Sequence, residues 1–321
     1  MRPPLRRAVR VDEVAFGGHD AVAIEDGPLS VVVVTGVGPR IASFTVGDHP
    51  NLLAWLPGTG INLDDGRRFS FHGGHRLWVA PEVPAWTYEP DDTPVGVTVA
   101  AGSVSFEVKP GRVPLRKVVT VSGDGDQLVV DHTIINERDR PAALAAWAIT
   151  QLTPGGVGIV PLPDDPVDPH GVQPNRLLVG WPYTDFADPG LGLGGVLVTV
   201  AANRTTPTKV GVELRRGWLA YVHGATAFVK RGVHLEGARY PDLGSSAECY
   251  CNDVFLELET LSPVWELAPG DEVQHRERWQ LVEVDAGSSP AEVAAVVEAA
   301  AVVEAPAEVA AVVEAEGGAP T

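Results

Sequence analysis

The sequence predicts an all-β protein, built as one large antiparallel β-sandwich with a low-complexity tail. Three observations predict it. β-rich segments recur from near the start to about residue 284. Turn signals separate them, and no long helical pattern precedes residue 290. Their even spacing favours a single sandwich over two domains.

The segments come in order. "LSVVVVT" (29–35) and "RIASFTV" (40–46) open the series, and "SVSFEVK" (103–109), "LRKVVTVS" (115–122) and "QLVVDHTIIN" (127–136) form its middle. "GGVLVTVA" (194–201) and "FLELET" (255–260) follow. "GDGD" (123–126), "NERDRP" (136–141) and "APGDE" (268–272) supply turns rich in Gly, Pro, Asn and Asp. Residues 154–193 are looser. Their "PLPDDPVDPHGVQPN" reads either as a loop at a ligand rim or as a surface insertion.

The folded domain is expected over residues 10–285. Beyond it, "PAEVAAVVEA" occurs at 290–299 and again at 306–315. Residues 286–321 therefore read as an Ala/Val/Glu-rich tail, disordered or weakly helical, outside the fold.

Composition narrows the partners. Hydrophobic residues make up 45% of the 321, enough for a sizeable core. Net charge is −18, and from Glu283 onward there are eight acidic residues with no Lys or Arg. An acidic body argues against nucleic acid and anionic membranes and suits a neutral polar ligand. Cys249 and Cys251 would share one strand face and are poorly placed to pair, which suggests two buried thiols in a reducing compartment. The arginine-rich start has no apolar stretch behind it, and no apolar run is long enough for a membrane span. A cytoplasmic protein is expected. No cofactor is expected, and the sequence leaves the oligomeric state open.

The densest chemistry is "FHGGHRLWVAPE", Phe71–Glu82. If the chain is extended there, His72, Arg76 and Trp78 share one face and His75, Leu77 and Val79 the other. The first set offers an imidazole, a planar guanidinium fork and an aromatic platform. His75 is either a hydrogen-bonded core histidine or is swung into the site by the turn. Glu82 can accept hydroxyl hydrogen bonds. A metal on His72 and His75 would lack a fixed third ligand, so no metal is expected.

Three stretches together resemble the galactose mutarotase-like (aldose 1-epimerase) superfamily. They are "HGGHRLWVAPE", "VDHTIINERDRPAALAAWAITQL", and "ECYCNDVFLELETLSPVWELAPGDEVQHRERW" from Glu248 to Trp279. Their order and spacing carry the resemblance over most of residues 20–282. It implies a β-supersandwich with a sugar site on the concave face of the larger sheet. It also implies a mechanism, in which a glutamate base and a histidine acid on opposite sides of the anomeric carbon open the sugar ring.

Glu259, in Leu258-Glu259-Thr260, matches the base. Strand parity places Glu257 beside it on one face. The histidine's place falls on Ile149 or Thr150, and neither transfers a proton near neutral pH. Trp147 could stack on a sugar or belong to the core. Glu248 is a second carboxylate candidate. His132, His223, His234 and His275 read as structural, with His132 or His223 able to supply a displaced acid. The sequence thus points to a carbohydrate-binding protein. The alternative is an aldose 1-epimerase-like isomerase with Glu259 as base and a relocated acid.

Overall fold

A computed structural model describes residues 9–203 and 205–302. The architecture is two large antiparallel sheets packed face to face. The 11-stranded sheet runs in the order Arg10–Phe16, His19–Asp26, Leu29–Val34, Arg40–Val46, His75–Ala80, Ala142–Leu152, Leu256–Leu261, Ala247–Cys251, Thr208–Val212 and Val179–Gly180. The short Trp265–Leu267 also pairs with Ala142–Leu152. The 10-stranded sheet has Trp218–His223, Thr226–Arg231, Glu272–Glu283 and Gln127–Asn136 at its centre. The all-β antiparallel sandwich is the class that the alternating pattern predicts.

Alternation decides what lies between the sheets. Leu77, Val79, Leu256 and Leu258 from the larger sheet meet Val119, Val130, Trp279 and Leu281 from the smaller one in the principal core. Arg76, Trp78, Glu257 and Glu259 must then point to the opposite, outer face of the larger sheet. A two-stranded ribbon, Trp55–Asn62 with Arg68–Gly73, contributes Ile61, Phe69 and Phe71 to a second apolar cluster containing Trp78, Trp147, Ile149 and Leu261.

The double glycine joins ribbon to sheet. Gly73 and Gly74 both have positive φ, 97° and 68°. A Cβ would lie 2.2 Å from the Ala54 carbonyl oxygen at Gly73, and 2.3 Å from that of Ile41 at Gly74. Only glycine meets both demands.

A buried polar seam crosses the core beneath the outer-face residues. His132 Nδ1 donates to the His275 carbonyl (3.0 Å), so in the neutral ring Nε2 is left to accept from His75 Nε2 at 2.7 Å. His75 Nδ1 then accepts from the Thr150 hydroxyl, 2.9 Å away. His275 Nε2 donates to Thr260 Oγ1 (2.6 Å), and Thr260 donates to Glu277. Lys230 Nζ sits 2.9 Å from Glu277 and donates to the carbonyls of Ala148 and Leu258. Neutral imidazoles and one ion pair satisfy this chain without leaving a net charge in the core.

Two expectations are corrected. Residues 154–193 contain a strand, Val157–Pro161, inside the smaller sheet. The start of the expected tail is the α-helix Pro290–Val302, and instead of lying outside the fold it packs on the sandwich. Val293, Ala294 and Val297 join Leu197, Trp218, Ala220 and Val229 in an apolar cluster. Glu298 pairs with Arg216 and accepts from Trp218 Nε1, and Ser289 caps the helix through Glu292. The second repeat lies outside the described residues. No helix among those described is long and apolar enough to cross a membrane. Cys249 and Cys251 are both buried, on the inner face of Ala247–Cys251.

Candidate functional site

Five strands bring the outer-face cluster together. Ile149 is the register partner of Arg76 on one side and of Glu259 on the other. Glu259 is in turn opposite Glu248, and Glu257 lies opposite Gln151 on one side and Tyr250 on the other. Lys209 joins from the next strand, opposite Tyr250.

The charges form two ion-pair groups. Arg76 Nη2 donates to Glu257 Oε1 at 3.0 Å, and Gln151 Nε2 reaches the same oxygen at 3.0 Å. Lys209 Nζ lies 2.6 Å from Glu248 Oε2 and 3.0 Å from Glu259 Oε2. Trp147 Nε1 donates to Glu259 Oε2 at 2.7 Å. Glu248 and Glu259 are fully buried. Among the described residues, Glu248 Oε1, Glu259 Oε1, Gln151 Oε1, and Arg76 Nε and Nη1 have no hydrogen-bond partner. Buried polar atoms of this kind are costly to leave unpaired.

Electrostatics follow from burial and pairing. Burial pulls Arg76 down, with Glu257 working against it. Burial raises Glu257, opposed by Arg76. Burial pushes Glu248 well above the usual carboxylate range, and the Lys209 ammonium only partly offsets this. For Lys209, burial acts downward, but Glu248 and Glu259 outweigh it and hold the ammonium well above the ordinary lysine range. Lys209 therefore remains charged between two carboxylates.

Aromatic side chains enclose the cluster. The Arg76 guanidinium lies 4.2 Å over the Trp78 ring and 5.4 Å from that of Phe71. Lys209 is sandwiched by Trp147 (4.6 Å) and Trp181 (4.8 Å). Tyr88 packs edge-on against Trp78, and Tyr183, 43% exposed, against Tyr250. A ligand reaching the buried polar atoms must part this aromatic cover.

The structure gathers Arg76, Trp78, Trp147, Glu248, Glu257 and Glu259 on one face. Trp78 and Trp147 differ from free stacking platforms, because cations occupy their rings. Glu82 is exposed, beyond the strand, and accepts from the Tyr88 hydroxyl.

His72 is not on this face. It has φ 56° and is followed by two more left-handed residues, so alternation from Arg76 does not extend back to it. Its Nε2 meets Asp92 at 2.6 Å, and its ring packs with Trp55 and His19. Of the two readings of His75, the swing into the site is corrected, since it lies on the inner face as a hydrogen-bonded core histidine of the polar seam. His75, His132 and Glu277 place ligand atoms within 4.8 Å of one another. The arrangement does not suit a metal. The two Nε2 atoms are at hydrogen-bond distance, and a dication would sit beside the buried Lys230 ammonium.

Sequence reasoning missed Lys209, Gln151 and Trp181. Lys209 lies in "TKVGVEL", an ordinary strand sequence whose significance appears only through its pairing with Ala247–Cys251.

No protein-family model and no curated protein matches the sequence. Solved structures do match in fold. A galactose mutarotase-like protein from Lactobacillus casei is 11% identical, with 82% of this chain and 100% of that one covered at a TM-score of 0.55. The Slr1438 protein from Synechocystis is also 11% identical, with 84% and 98% covered at 0.56. A TPR-domain containing protein from Parabacteroides distasonis matches over 47% of its own length, at 11% identity and 0.55. The chain has the galactose mutarotase-like β-sandwich fold. These identities establish the fold alone, and one fold hosts many activities.

Proposed function

We propose that the protein binds a carbohydrate, a sugar or sugar derivative, on the outer face of its larger sheet. The observation that carries this reading is the cluster of buried, unpartnered donors and acceptors on Arg76, Gln151, Glu248 and Glu259 among aromatic rings. Both hydrogen-bonding signs are present, which matches hydroxyl groups that donate and accept. Three carboxylates against two cations disfavour phosphorylated sugars. Ile149, one of the two positions to which the resemblance assigns the histidine acid, stands between Arg76 and Glu259, which supports binding over standard mutarotation.

A second reading, an aldose 1-epimerase-like isomerase, is favoured by one observation. Glu259 has a neighbouring carboxylate, Glu248, on the same ammonium. Saturation-transfer NMR against free and phosphorylated aldoses tests the binding reading. Free aldoses should bind, and Arg76→Ala should weaken them by about 5- to 100-fold through lost charge-assisted hydrogen bonds. Silence from every sugar would reject it.

A further inference from the structure

We propose that Glu248 is the proton donor of this face, paired with Glu259 as base, in the ring opening of an aldose. The proposal rests on the carbohydrate reading above. Glu248 and Glu259 are register partners on adjacent strands, and both side chains are fully buried. Trp147 and Lys209 both hold Glu259 through Oε2, leaving Oε1 to take a proton. Lys209 holds Glu248 through Oε2, leaving its Oε1 to carry one.

Charge supports the division of roles. Two carboxylates share one ammonium, so a single proton on the pair makes the trio neutral, as a buried site favours. The groups facing Glu248 are Lys209, Glu259 and Asp242. Burial raises Glu248, and the charge on Glu259 adds to this, while Lys209 opposes both. Lys209 cannot be the donor, because its two carboxylates hold its proton well above the ordinary lysine range. Ile149 has no proton to give. Paired carboxylates in unlike protonation states are an established acid–base device.

The step balances. The Glu259 carboxylate takes the proton from the anomeric hydroxyl, whose O–H electron pair becomes the second bond of a C1 carbonyl. The bond from C1 to the ring oxygen breaks, its electron pair stays on that oxygen, and Glu248 protonates it. The open-chain aldehyde leaves Glu259 protonated and Glu248 ionised. Closure on the other carbonyl face reverses both transfers and restores the pair. Both reacting oxygens are bonded to C1, so two carboxylates on neighbouring strands reach them from one side.

The test uses the full chain with D-glucose and D-galactose as probes. Saturation-transfer NMR reads binding, and exchange spectroscopy reads anomer interconversion. Wild type should accelerate exchange above the spontaneous rate. Glu248→Gln should lower that acceleration by about 100-fold or more while binding changes little, and Glu248→Asp should retain part of it. If Glu248→Gln does not fold, the wild-type pH profile decides. Exchange lost on the alkaline side with binding retained supports a carboxylic acid donor, and a rate flat to alkaline pH overturns it. Binding without acceleration, or Glu248→Gln exchanging like wild type, overturns the proposal and leaves the carbohydrate reading standing. Failure to bind either sugar overturns the proposal, and silence from every sugar of the binding screen overturns the carbohydrate reading as well.

Discussion

Arg76 and Glu259 lie on opposite sides of Ile149, each its register partner, on the same face of one sheet. The two residues are far apart in sequence, yet the face they share is set by local alternation. Leu77 and Leu258 turn into the core, so Arg76 and Glu259 turn out. The face then carries a guanidinium, an ammonium and three carboxylates, all nearly dry.

Lys209 holds that arrangement together. Its removal leaves Glu248 and Glu259 buried with no shared cation. Lys209→Met should destabilise the fold by roughly 3–5 kcal/mol. Adding Glu259→Gln should restore part of the loss, because the ionised carboxylate that Lys209 balances is then gone. Urea unfolding of both single variants and the double variant checks this. Strictly additive losses would mean that Lys209 and Glu259 do not act on each other.

The fold class was legible in the sequence because period-2 alternation is local. The same alternation placed Arg76 with Trp78, and Glu257 with Glu259. It failed at His72, where three consecutive left-handed residues break the extended chain and turn the imidazole toward Asp92. It could not find Lys209, whose role depends on which strand lies beside Ala247–Cys251. Nor could it show that His75 meets His132, because that contact crosses from one sheet to the other. The docking of the helix Pro290–Val302 was hidden for another reason. Ala and Val cover most of its surface, so the sequence marks no single apolar stripe.

The polar seam predicts acid sensitivity. Burial holds His75 well below the ordinary histidine range, lowers His132, and brings His275 down to about 3. These rings are neutral when folded, whereas in the unfolded chain they take up protons below about pH 6.5. Unfolding therefore binds protons, and stability falls as pH falls. The contribution is complete above pH 6.5 and declines toward the folded values, reaching down to about 3 for His275. Each ring costs roughly 1.4 kcal/mol per pH unit within its window. Urea midpoints should drop between pH 7 and pH 5, and His275→Gln should flatten the slope. A midpoint constant over that range would show that the seam is already protonated or open to water.

The last prediction concerns residues 287–321. If this segment were a solvated appendage, deleting it would leave thermal stability unchanged. The docked helix says otherwise. Val293 and Val297 are fully buried against Trp218, Ala220 and Val229, and Glu298 pairs with Arg216. Burying a valine side chain stabilises by roughly 1.5–3 kcal/mol, and ordering a short helix offsets part of that. A net loss on the order of 2 kcal/mol on deletion corresponds to a fall in Tm of about 3–4 °C for a domain of this size. Truncation also uncovers an apolar patch around Leu197 and Trp218, so the shortened chain should aggregate sooner on heating. A shorter deletion, of residues 303–321, keeps the whole docked helix and should leave Tm within about a degree of the full chain. Differential scanning calorimetry of the two truncations separates the cases. Equal Tm values for the full chain and the longer deletion would show that the helix does not hold the sandwich. Equal losses from both deletions would assign the stabilisation to the second repeat instead.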